Sequence, residues 1–163
     1  MLDRFDRALD LWSRALLALA ILAGFLMMVH VTVDIFFRTA LNSPLPGTNQ
    51  TVAAYYMIMA TFLPLAILGR NDAHISAEIF TERLSRAARR RLDVVTTALG
   101  LLYMAVFTWQ SWVSAGRQMV RQEVVEIPNG FLVTWPSRWL LPVAGASLFL
   151  CLLMRMIRDL RKA

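Results

Sequence analysis

Apolar residues gather in four long runs separated by short polar stretches, at about residues 15–37, 52–69, 94–115 and 136–157. A helix rising 1.5 Å per residue needs about 20 residues to cross a hydrocarbon core about 30 Å thick. The runs match that length or come close. A soluble helix would interrupt them with polar positions every third or fourth residue. The pattern predicts an all-α membrane protein with four transmembrane helices, forming one membrane domain over residues 1–163. Residues 2–13 precede the first run with Leu2, Phe5, Leu9 and Trp12 at helical spacing and charges between them, which predicts a short interfacial helix leading into the span. A second amphipathic helix is predicted over residues 73–91, between spans 2 and 3. Ile75, Ile79, Leu84 and Leu92 recur there among Glu78, Glu82 and several arginines, behind a capping Asn71 or Asp72.

The basic residues set the orientation. The two tails and the second loop together carry 13 of the 17 Lys and Arg residues, and the first and third loops carry 4. The positive-inside rule then places both termini and the second loop in the cytoplasm. Aromatic residues support this frame. Trp109, Trp112, Trp135 and Trp139 fall at span ends on the opposite side, and Trp12 falls at the inner boundary of the first span, as an interfacial belt requires. Arg89, Arg90 and Arg91 close the cytoplasmic helix, where anionic headgroups attract them.

Composition narrows the function classes. Hydrophobic residues are 58% of the chain and charged residues 17%, which leaves no room for a separate aqueous domain. The net charge of +6 is juxtamembrane, so lipid rather than nucleic acid accounts for it. The single cysteine, Cys151, cannot form an internal disulfide, and no Cys/His spacing fits zinc. Phosphate loops, nucleophile elbows and paired catalytic carboxylates are missing, so neither an enzyme nor a bound cofactor is expected. A haem held by both histidines is excluded by depth, because His30 lies in the first span and His74 lies beyond the inner end of the second.

Polar residues close the first span. His30, Asp34 and Arg38 are spaced by four on one helix face, and Asp34 precedes Arg38 in the favoured i,i+4 order. From Ala15, Asp34 lies about 28 Å along the helix, at the outer headgroup level. A charge pair there either anchors the helix end or meets a partner subunit, with a proton or coupling-ion site as the other option. Pro64 is placed to kink the second span. The loop after the third span reads as a continued helix followed by a turn at Pro128-Asn129-Gly130. Small residues, Ala20 with Gly24 and Gly145 with Ala144 and Ala146, offer surfaces for close helix approach. No internal repeat and no charged cluster at mid-depth suggest a self-sufficient carrier.

Two passages resemble a known family. Asp34-Ile35-Phe36-Phe37-Arg38 closes the first span, and Leu68-Gly69-Arg70-Asn71-Asp72-Ala73-His74-Ile75-Ser76-Ala77-Glu78-Ile79-Phe80 follows the second. Trp135-Pro136 and Trp139 stand at the start of the fourth. Together with the four-span layout, these resemble the small permease subunit, the DctQ-like component, of tripartite ATP-independent periplasmic (TRAP) transporters. The resemblance implies a bacterial inner-membrane scaffold subunit of a sodium-driven importer of organic anions such as carboxylates. Its partners would be a large DctM-like permease subunit, a periplasmic substrate-binding protein and membrane lipid. Asp34, Arg38, Gly69, Arg70, His74 and Glu78 become candidates for the large-subunit interface, and Arg117 and Arg121 for docking the binding protein. The alternative reading is a membrane anchor of a respiratory enzyme complex.

Overall fold

The computed structural model describes residues 2–70, 86–128 and 130–161. Four helical segments are long and apolar enough to cross a membrane: Asp6–Ala40, Thr48–Gly69, Val94–Val120 and Trp135–Ile157. The first lies within α1 (Leu2–Ala40), a single helix of 39 residues. No proline interrupts it, so residues 2–13 run into the span without a break. Asn42, with φ 48°, turns the chain away beyond its end, and the Ser43 N–H returns to the Phe37 carbonyl at 3.3 Å. Asparagine accepts this left-handed conformation more readily than most residues.

The second span is segmented. It comprises α2 (Thr48–Thr51), a π-helical turn over Val52–Tyr56, α3 (Met57–Phe62) and α4 (Leu65–Arg70). Pro64 has no N–H to offer the preceding turn. Its own carbonyl takes the N–H groups of Ile67 and Leu68 at 3.1 and 3.2 Å, which restarts the helix. The expected interruption at Pro64 is therefore present, and the π-helical turn is an addition that periodicity did not reveal. The candidate residues His74 and Glu78, and residues 73–85 of the expected amphipathic helix, lie outside the described residues. Arg89, Arg90 and Arg91 belong to α5 (Arg86–Val120), which continues into the third span.

The third loop departs from the all-helical expectation. α5 stops at Val120 in a Schellman arrangement, with Glu123 N–H on Gln118 O at 3.1 Å and Gln122 N–H on Met119 O at 3.2 Å. A β-hairpin follows, β1 (Val124–Ile127) antiparallel to β2 (Gly130–Val133), with Val124 opposite Val133 and Ile127 opposite Gly130. Its β-branched and aromatic residues on either side of Pro128-Asn129-Gly130 carried the hairpin signal. The short α6 (Trp135–Arg138) has Pro136 in its first turn and leads into α7 (Leu140–Arg161).

The helices pack in the order α1, second span, α7, α5. Leu16, Ala20, Leu63, Ala66 and Ala144 form the core, flanked by Met59 and Phe62. Apolar burial drives little association in lipid, so close backbone approach matters more. A side chain on Gly69 would strike Leu148, and a Cβ on Gly145 would lie 2.7 Å from Thr108 Oγ1 and 3.3 Å from the Phe107 ring. Ala20, Ala144 and Gly145 thus act inside the chain, whereas Gly24 has open space around it. The Trp12 indole N–H donates to Ser147 Oγ at 2.9 Å, beside the middle of the fourth apolar segment. This contact ties the start of α1 to α7.

Two glycine substitutions check this packing in detergent-solubilised protein. Gly24→Ala is expected to raise the thermal midpoint, since it gains about 1 kcal/mol of helix propensity without a clash. Gly145→Ala is expected to lower it, because overpacking costs about 1–3 kcal/mol.

Candidate functional site

The loops at the hairpin end, opposite the two termini, hold most of the interlocking polar contacts. Asp34 is buried, with 4% of its surface exposed, and both of its oxygens are engaged. Oδ1 accepts the Leu45 N–H at 2.8 Å, and Oδ2 accepts Arg38 Nη2 at 3.1 Å. The i,i+4 spacing on α1 creates the pair, and the returning loop supplies the backbone donor. Thr48 is buried nearby, its hydroxyl 3.4 Å from the Leu45 carbonyl. Asp34 therefore ties α1 to the start of the second span, while more than half of the Arg38 side chain stays exposed.

The same loop meets the hairpin at Gly47. Its φ of 80° favours glycine, and a Cβ there would lie 3.1 Å from Ile127 Cγ2. Tyr55 donates its hydroxyl to the Val133 carbonyl at 2.7 Å, while the neighbouring Tyr56 hydroxyl lies 3.5 Å from His30 Nδ1. Both tyrosines lie in the π-helical turn, the first reaching the hairpin and the second reaching α1.

At the base of the hairpin, Glu123 accepts Arg138 Nε at 2.9 Å and Nη2 at 2.8 Å. This bidentate geometry is the strong form of a carboxylate–guanidinium pair. The Glu123 carbonyl also takes the backbone N–H groups of Thr134 and Trp135 at 3.0 and 3.3 Å. Hydrogen bonds and charge from Arg138 hold the Glu123 carboxyl below its ordinary value, against partial burial that pushes it up. Neither Glu123 nor the hairpin it anchors was singled out from the sequence. The signal available was Glu123 fifteen positions before Arg138 across a β-branched segment.

The other candidates are dispersed. Gly69 is buried against α7, so its contact is internal, and Arg70 closes α4. Arg117 and Arg121 are exposed at the end of α5. Trp109 and Trp112 are exposed on α5, with Trp112 edge-on to Trp139 at 5.0 Å. Trp135 opens α6. Among the described residues, no group of three His, Cys, Asp or Glu side chains could hold a metal ion.

The family described as tripartite ATP-independent periplasmic transporters, DctQ component, matches residues 27–162. The chain belongs to this family. The match takes in the Asp34–Leu45 junction, the hairpin and the last three spans. DctQ proteins are the small membrane subunits of TRAP transporters and work with a DctM subunit and a periplasmic binding protein. No curated protein and no solved structure matches the chain.

The Glu123–Arg138 anchor has a definite pH signature. A carboxyl lowered by folding stabilises fully above its unfolded pKa, and the contribution fades as pH falls toward the folded pKa. The pair is partly exposed, so after solvent screening it contributes about 1 kcal/mol. In acid titrations of thermal stability, wild-type protein should lose this increment below about pH 4.5. Glu123→Gln should lack that step and be less stable at neutral pH.

Proposed function

We propose that this DctQ protein is the scaffold subunit of a sodium-driven TRAP importer of organic anions, carboxylates in particular. In this reading it lies in the bacterial inner membrane with both termini inside and the hairpin end facing the periplasm. The large permease subunit carries the substrate and sodium sites, and the periplasmic binding protein delivers the substrate. The observation that carries the reading is the internal bonding of the hairpin end. Asp34, Gly47, Tyr55 and Glu123 together join the first two spans to the hairpin and to α6. A brace needs such fixed geometry, whereas a carrier must release its contacts in order to alternate.

Polar groups between the helices support the same view. Trp12 bonds Ser147, and the buried Ser13 hydroxyl donates to the Leu9 carbonyl at 2.8 Å. These groups satisfy one another instead of lining a solute path. Meanwhile Leu22, Phe25, Met28, Phe36 and other large apolar residues of α1 face outward. That face suits a neighbouring membrane subunit, with Arg38 at its polar edge. Exposed Arg117 and Arg121 suit an acidic rim on the binding protein, where such charges chiefly raise association rate.

Reconstitution tests the proposal. The large subunit in liposomes, given binding protein and a sodium gradient, should transport organic anion only when this chain is present. Equal transport without it would reject the scaffold role. For the interface, Arg38→Ala should weaken pull-down of the large subunit several-fold, whereas Arg158→Glu in the tail should not; equal yields would remove Arg38 from the contact.

A further inference from the structure

A cleft of about 270 Å³ opens between α5 and α7 near the hairpin end, apart from the Asp34 junction. Its lining is sorted along the helix axis. Phe107 and Leu141 lie on the side toward the middle of the spans, and Gln110, Ser111, Ser114 and Arg138 lie toward the hairpin. The α5 members recur at helical spacing, so they share one face. The buried Ala115 beside them leaves the space open. The Arg138 guanidinium is oriented by Glu123 through Nε and Nη2, which leaves Nη1 outside that pair.

We propose that this cleft seats a phospholipid, with the phosphoryl group on the polar side and the first methylenes on Phe107 and Leu141. The chemistry of the lining selects a phosphoryl oxygen, since two hydroxyls, a carboxamide and a guanidinium all donate hydrogen bonds. Arg117 near the end of α5 and Arg121 just past it, both exposed, add positive field on the same side. The apolar half favours an esterified phosphate over a free one, which would find no water or donor at Phe107 and Leu141. The level is also that of a headgroup. Trp112 and Trp139 meet edge to face close by, and Trp109 exposes 72% of its surface on the same helix. Amphipathic rings at a span end mark the lipid–water boundary.

The site depends on the chain crossing a membrane and not on the transport reading, so each can fail without the other. Native mass spectrometry of the full chain, alone and paired with its large subunit, measures the lipid retained. Palmitoyl-oleoyl phosphatidylethanolamine, the matching diacylglycerol and inorganic phosphate serve as probes. The phospholipid should stay bound to both preparations, and the diacylglycerol should be lost. Ser114→Glu should cut retention about fivefold or more, the equivalent of one hydrogen bond or beyond. Val120→Glu adds the same charge outside the cleft and should leave retention unchanged. Ser111→Leu, which removes a donor and fills space, provides a second variant should Ser114→Glu fail to fold. Equal retention by wild type and the cleft variants would overturn the proposal. So would retention of diacylglycerol, displacement by inorganic phosphate, or loss of lipid once the large subunit is bound, which would make the cleft a subunit contact.

Discussion

A single buried carboxylate holds the end of the longest helix to the rest of the chain. Asp34 sits near the end of α1, and each of its oxygens accepts a hydrogen bond, one from a side chain and one from the backbone. Removing it would leave the Leu45 N–H without its partner, at a cost of about 1–3 kcal/mol. More would follow, because the loop that Asp34 positions presents Gly47 to Ile127, and the hairpin bearing Ile127 is tied in turn to Tyr55 and Arg138. These links run in series, and the first of them fixes where α1 ends relative to the second span.

The membrane explains why bonding concentrates there. Within lipid, apolar burial contributes little to association, so the spans rely on close contact at small residues and on a few hydrogen bonds. Gly69 against Leu148, Gly145 against Phe107 and Trp12 with Ser147 are contacts of this kind. They set spacing and depth and leave broad apolar flanks uncovered. Toward the hairpin end backbone groups leave the helices, and each must find a new partner. The hairpin meets this need with its own ladder and through the Glu123 carbonyl. A chain built this way has one knitted end and exposed apolar sides, an arrangement suited to bracing a larger membrane neighbour.

Four helices long and apolar enough to cross a membrane, the break at Pro64 and the family were legible in the residue order, because hydrophobic length and proline chemistry act locally. The Asp34–Arg38 pair was legible for the same reason, as i,i+4 spacing needs nothing beyond the helix itself. The Leu45 N–H on Asp34 was not, since it comes from a residue eleven positions away that only the turn at Asn42 brings back. The hairpin left a local trace in its β-branched residues, outweighed by the helical run before it. Its fastening by Glu123 to Arg138 needed the direction in which α5 ends. The Trp12–Ser147 hydrogen bond was beyond reach, because the offset between two helices depends on how their side chains interdigitate and not on the length of either one. Sequence alone therefore determined which segments are long and apolar enough to cross a bilayer, since that follows from residue-by-residue transfer between water and lipid. Only the tertiary structure decided their stagger and order and which polar groups meet, because those follow from contacts between residues far apart in the chain.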